Sequence, residues 1–222
     1  MLEKISINPK KPIIGSVIWL HGLGADGHNF EPIIPDLQPF SDKGLRFILP
    51  HAPLRPVTLF NGMPARAWFD LFMRNGEYGF IQSEIDAMAA ELQHIVTTEM
   101  ADFHLRSEQI ILAGFSQGGA MAVYAALHLK ENIGGVIGLS TFLPHATELL
   151  RISPHRWPAF IAHGSQDDVV PFSSGVELSH ALSQAGCPVT WQSYTMSHGV
   201  NAAEIQDIRR WLAQVISSSI SA

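Results

Sequence analysis

The sequence holds a single cysteine, little charge and no long apolar run. Cys187, within Ala185-Gly186-Cys187-Pro188, has no partner in the chain, so no intramolecular disulfide can brace the fold and the core must do so alone. The longest apolar stretch, 120–127, is far shorter than the ~20 residues that span a bilayer. The amino terminus, Met1-Leu2-Glu3-Lys4-Ile5, lacks the charged start and apolar run of a signal peptide. A cytoplasmic protein with no integral membrane association is expected. Lys and Arg number 14 against 20 Asp and Glu, a net charge of −6, and no run of basic residues occurs, which speaks against a nucleic-acid partner. None of the eleven histidines stands in His-x-His or His-x-x-x-His spacing, so a metal site is not expected.

What the chain does hold is apolar mass. Hydrophobic residues make up 46% and charged residues 15% of 222, enough to bury a large core and to exclude intrinsic disorder. This length predicts a single domain over 1–222. Short apolar runs at 16–20, 45–49, 109–115, 135–139, 159–162 and 189–194 show little alternation, the mark of strands covered on both faces. Between them lie helical periodicities. Ser83 and Asp86 resemble a capping box, followed by Ile85, Met88, Ala89, Leu92, Ile95 and Val96 on one stripe. Residues 118–129, 174–185 and 203–216 predict three more helices, and 217–222 a frayed tail. The alternation predicts an α/β fold with a mostly parallel central sheet covered by helices on both faces. Residues 49–79 carry Pro50, Pro53, Pro56 and Pro64 without a clean period, and read as a long ordered loop that contributes to a pocket.

Chemistry concentrates at Gly114-Phe115-Ser116-Gln117-Gly118, set between an apolar run and a helix. In a nucleophile elbow a serine sits in a strained strand-to-helix turn, and small residues two before and two after it relieve crowding. A serine hydroxyl needs a base to take its proton, and the base needs an acid to fix its tautomer. In this architecture the acid and then the histidine follow the serine, each just past a later strand. Asp167 and Asp168 follow the run at 159–162, and His198 follows the run at 189–194. Only one of the two aspartates can face His198; the other is placed to cap the local turn. His163 ends a strand beside the acids and reads as a packing or supporting residue, while His128, His145, His155 and His180 read as surface or structural histidines. Backbone N–H groups of Gln117, after the nucleophile, and of Leu23, in His21-Gly22-Leu23-Gly24, are the candidate oxyanion donors.

These residues resemble the carboxylesterase and lysophospholipase group of α/β-hydrolases that includes the acyl-protein thioesterases. The resemblance spans nearly the whole chain. It rests on His21-Gly22-Leu23-Gly24-Ala25-Asp26-Gly27, Pro50-His51-Ala52-Pro53, Trp68-Phe69-Asp70, Gly114 to Ala120, Leu139-Ser140-Thr141, His163-Gly164 with Asp167 and Val170-Pro171, and Ser197-His198. Arg55-Pro56-Val57-Thr58 and the compact loops look most like bacterial members. The resemblance implies a triad of Ser116, Asp167 and His198, choosing Asp167 over Asp168, and an oxyanion hole of Leu23 and Gln117. It also implies a shallow, open hydrophobic groove with Leu23, Trp68, Phe72 and Leu143 as candidate lining. One departure is Ser197, where many members have glycine before the base.

The expected activity is hydrolysis of carboxylic esters, extending to thioesters, through an acyl-enzyme, with no cofactor. Expected substrates are an acyl ester or thioester small molecule, a lysophospholipid or an acylated protein, and the oligomeric state is left open, a homodimer included. The rival readings are a non-catalytic binding protein on the same fold, which loss of Ser116 or His198 would have favoured, and a hydrolase of another acyl bond, lactone or peptide. A dienelactone-type enzyme ordinarily has cysteine at the nucleophile position, where this chain has Ser116.

Overall fold

The branched, apolar run Ile13–Leu20 forms the interior strand β2, buried from Gly15 onward. The computed structural model describes residues 2–40, 43–74, 77–143, 148, 150 and 153–221; expectations that fell on Met1, His145 and Ala222 lie outside them. Around β2 a seven-stranded sheet is ordered β1-β3-β2-β8-β9-β10-β11, with β1 (Lys4–Ile7), β3 (Gly44–Pro50), β8 (Ile110–Phe115), β9 (Gly135–Leu139), β10 (Ala159–Gly164) and β11 (Val189–Tyr194). Only β1 runs antiparallel. Each apolar run read from the sequence falls on a strand; β1 is too short and too polar to stand out in the sequence pattern.

Alternation within each strand feeds two cores. Ile18 and Leu20 of β2 join Leu112 under helices α2 (Gln82–Phe103), α3 (Gln117–His128) and α4 (Phe172–Gln184). Val17 and Trp19 point the other way and meet α1 (Ile34–Leu37) and α5 (Ala202–Ser221). This is the α/β-hydrolase architecture, a mostly parallel sheet clad on both faces. From β2 the chain steps to β3 on one side, then returns to β8 on the other and continues outward. The strand order therefore reverses between β2 and β8, and the crevice above their carboxyl ends is where such sheets place ligands. Among the described residues, no helix is long and apolar enough to cross a membrane.

Three local expectations change. Helix α2 buries its predicted stripe, but its N-cap is Ile81, with no side-chain cap. Asp86 instead accepts the Tyr124 hydroxyl of α3, because a buried phenol must find an acceptor. Helix α5 continues to Ser221 rather than fraying after residue 216, because Ser219 is buried and its hydroxyl reaches the Glu108 carbonyl at 2.7 Å. The stretch 49–79 is built of two antiparallel ribbons, β4 (Leu54–Val57) with β5 (Met63–Arg66), and β6 (Leu71–Arg74) with β7 (Glu77–Phe80). Pro56 lies opposite Pro64 in the first ribbon, a pairing open to prolines because both strands of this two-stranded ribbon are edge strands. The prolines hid the alternation from the sequence pattern.

A buried ion cluster ties the first three strands to α2. Glu99 Oε2 accepts from Arg46 Nε and from Ser16 Oγ, each at 2.8 Å. Arg46 reaches on to Ser6 Oγ at 3.2 Å and to Asn8 Oδ1, and its guanidinium lies over the Phe103 ring. Nothing in the sequence pattern announces this cluster, since Glu99 falls on an apolar stripe. Glu99→Ala strands a buried guanidinium, so a loss of about 3–5 kcal/mol in urea unfolding is expected. Glu204 of α5 is the opposite case. It is fully buried, neither carboxylate oxygen has a partner among the described residues, and burial, helped by Asp207, pushes its carboxyl up to about 8. Between the ordinary carboxylate value and about 8, the folded state holds a proton that the unfolded chain releases, so wild-type stability falls as pH rises through that window. Glu204→Gln does not titrate, and its melting temperature should gain on wild type progressively from pH 5 to pH 9.

Candidate active site

Strand β8 ends at Phe115 and α3 begins at Gln117, leaving Ser116 alone to make the turn, at φ 55° and ψ −123°. A side chain enters that region only where its surroundings compel it. Here Ser116 N–H donates to the Leu139 carbonyl at 2.9 Å, and the Ser116 carbonyl accepts from Thr141 Oγ1 at 2.7 Å and Ala120 N–H at 3.1 Å. The flanking glycines are obligatory. A Cβ on Gly114 would fall 2.2 Å from the Gly118 carbonyl oxygen, and one on Gly118 would fall 2.3 Å from that of Leu20.

The acid and base sit above the ends of β10 and β11. Asp167 Oδ1 accepts from Val169 N–H and Val170 N–H at 2.9 Å each, and its Oδ2 accepts from His198 Nδ1 at 2.8 Å. Burial alone would raise the Asp167 carboxyl, but the bond from His198 and the two backbone amides outweigh it and hold it below its ordinary value. Asp168 is exposed, so of the two competing aspartates it is Asp167 that meets His198. Ser116 and His198 face one cavity, and the Phe115 ring lies 4.6 Å from the His198 ring. Among the described residues, Ser116 Oγ makes no hydrogen bond to His198; such bonds commonly tighten only with substrate present.

Both candidate oxyanion donors border that cavity. Gln117 N–H is the first of α3 and has no intrahelical acceptor. Its side chain is spent on support: Oε1 accepts from Trp68 N–H at 3.0 Å and Nε2 donates to the Phe69 carbonyl at 2.8 Å. The loop carrying Leu23 is clamped by its neighbours. His21 Nδ1–H donates to the Gly22 carbonyl at 2.8 Å, while Nε2 accepts from Ala52 N–H at 3.0 Å. Burial pushes this imidazole down to about 4, so it is neutral and keeps that tautomer. Trp68 Nε1 closes the ring of contacts on the His21 carbonyl at 2.8 Å, and Gly24 N–H meets Arg66 O at 2.8 Å. The proline-rich stretch thus backs the oxyanion loop.

The cavity measures about 560 Å³ and is mostly apolar, with Leu23, Phe30, Leu71, Tyr78, Phe142 and Val170 among its walls. Of the four groove residues expected, only Leu23 lines it. Trp68 is fully buried behind the oxyanion loop, Phe72 packs its ring on Gly79 of the paired strand, and Leu143 is buried in the core under α2 and α3. Two of these misses are by one residue: Leu71 and Phe142 line the cavity where Phe72 and Leu143 were expected, and on the strand Leu71–Arg74 neighbours face opposite ways. His128 and His155 donate to the carbonyls of Tyr124 and Leu129, at 2.8 and 2.7 Å, and His180 is exposed.

The chain is similar to known proteins along nearly its whole length. Residues 3–216 match the phospholipase/carboxylesterase family. Acyl-protein thioesterase 1 of Cryptococcus neoformans is 32% identical, the match covering 97% of this chain and 98% of that protein. Carboxylesterase SOBER1 of Arabidopsis thaliana is 28% identical over 92% of both chains. The crystal structure of Zea mays acyl-protein thioesterase 2 superposes with a TM-score of 0.85 at 29% identity, covering 97% of this chain and 100% of that one. These relatives are fungal and plant proteins and give no support to the bacterial-type affinity expected from Arg55-Pro56-Val57-Thr58. Gln117→Ala leaves a buried N–H on Trp68 and a buried carbonyl on Phe69 without partners, so a loss of about 1–3 kcal/mol in urea unfolding is expected, with kcat/KM falling as the oxyanion loop loosens.

Proposed function

The chain belongs to the phospholipase/carboxylesterase family of α/β-hydrolases, a hydrolase of ester and thioester bonds, and from that premise we propose that Ser116, His198 and Asp167 carry the reaction. His198 Nε2 takes the proton of Ser116 Oγ as the oxygen attacks the acyl carbonyl. The negative charge that develops on the carbonyl oxygen is received by the N–H groups of Leu23 and Gln117, a type of contact worth about 3 kcal/mol per donor. Asp167 fixes the tautomer of His198 and balances the imidazolium that forms. The imidazolium then gives its proton to the departing alkoxide or thiolate, leaving an acyl ester on Ser116. Water, deprotonated by His198, attacks that ester, and the acid and free Ser116 are released.

What carries the reading is one cavity: a strained serine and a histidine hydrogen-bonded to a buried aspartate open into the same apolar space of about 560 Å³. Aromatic and aliphatic walls favour an acyl chain over a sugar or a peptide. We place the enzyme in the cytoplasm, acting on acyl esters or thioesters of small molecules, lysophospholipids or acylated proteins.

Release of p-nitrophenol from the butyrate and palmitate esters tests the assignment. Ser116→Ala, folded as wild type, should lose on the order of 10⁴-fold or more in kcat. The butyrate-to-palmitate ratio of wild type sizes the acyl space. Folded wild type that cleaves neither ester would instead favour the binding-protein reading or a narrow thioester substrate.

A further inference from the structure

Two imidazoles flank the Asp167 carboxylate, and the reaction above uses only one. Oδ2 lies 2.8 Å from His198 Nδ1 and 3.3 Å from Nε2 of His163, the penultimate residue of β10. The same Nε2 lies 3.0 Å from the Val170 carbonyl oxygen, which can only accept, so Nε2 carries the proton. Its N–H is thus given to the far end of the acid loop, and the carboxylate lies beside it, close but outside hydrogen-bond geometry. Behind the ring, Nδ1 has no hydrogen-bond partner among the described residues, and Gly175 of α4 presses so close that a Cβ there would fall 2.4 Å from it. The Phe172 ring stands edge-on to it as well. The imidazole has no room to swing away from Asp167.

We propose that His163 is a positioning residue for the hydrolysis: its neutral Nε2–H holds the Val170 end of the loop, whose N–H holds Asp167, and stands beside the Asp167 carboxylate that meets His198. The proposal rests on the triad assignment above. It also explains how one carboxylate serves two histidines. His163 is wholly buried, and burial lowers its affinity for a second proton, whereas the His198 side chain is 16% exposed and can be solvated when charged. The charge of Asp167 is thus directed to His198. The other titratable group on this cluster is the Tyr78 hydroxyl, which donates to the Val169 carbonyl at 2.9 Å, while Asp168 is exposed.

The test compares His163→Leu, which removes the donor, with His163→Gln, which keeps one, and runs Asp167→Asn beside them on p-nitrophenyl butyrate. With the positive end of that N–H dipole gone from beside the carboxylate, the negative charge of Asp167 falls more fully on His198 and stabilises its imidazolium. The acid limb of kcat/KM should then move to higher pH by about half a unit or more. In His163→Leu kcat should fall about ten-fold with KM within about two-fold of wild type, and His163→Gln should recover most of it. A limb that stays, or moves to lower pH, or a loss carried by KM, overturns the proposal. If His163→Leu does not fold, Gly175→Ala presses on Nδ1 from behind, drives Nε2–H toward the carboxylate and must displace the limb in the opposite sense, to lower pH; a wild-type or higher limb there overturns the proposal equally. Asp167→Asn with wild-type activity would sink the triad assignment and this proposal together. An inactive Asp167→Asn beside a normal His163→Leu would sink only the proposal.

Discussion

Ser116 is held where an L-residue resists going, and that one constraint organises much of what surrounds it. A residue at positive φ with a side chain costs on the order of 1–3 kcal/mol and persists only where neighbours over-determine it. Here β8 enters between β2 and β9, so the strand end cannot shift, and α3 leaves at once across the sheet, so the helix start cannot shift either. Gly114 and Gly118 allow the two backbones to touch. What results is a hydroxyl standing above the switch point of the sheet, with the first N–H of a helix beside it.

The same economy governs protonation. Three histidines lie close to the chemistry, and the fold sorts them by burial. His21 and His163 are wholly enclosed, each with one ring N–H given to a carbonyl, and burial keeps both neutral. Each spends its ring N–H on the backbone of a loop beside the cavity, His21 on Gly22 and His163 on Val170. His198 alone reaches the cavity with a carboxylate behind it.

Much of this was legible in the residues, for physical reasons that differ from part to part. Buried parallel strands are written as unbroken Ile, Val and Leu, and the elbow as glycines at fixed distance from a serine, so the sheet, the turn at Ser116 and the meeting of Asp167 with His198 could be read. The groove could not. Much of its wall comes from loops and from the second small ribbon, where periodic patterns do not say which side chain turns inward, so Leu71 and Phe142 stand in for Phe72 and Leu143. The Gln117 amide and the Arg46–Glu99 pair were equally silent, because a polar residue that bonds to distant backbone or to a buried partner leaves no periodic trace. Even Trp68, which does belong near the site, supports the oxyanion loop from behind instead of lining the groove.

The sheet order also constrains how the molecule is assembled in time. Its central pair joins Ser16 of β2 to Ile110 of β8, so most of the intervening chain must be gathered before the middle of the sheet can close. Closure of so long a loop yields no return until both strands are seated, which makes such a topology slow to nucleate. Ser116 follows directly on β8 and acquires its strained backbone only when that strand is locked between its neighbours. The reactivity proposed for Ser116 is therefore a property of the finished sheet: a nascent or partly unfolded chain carries an ordinary serine.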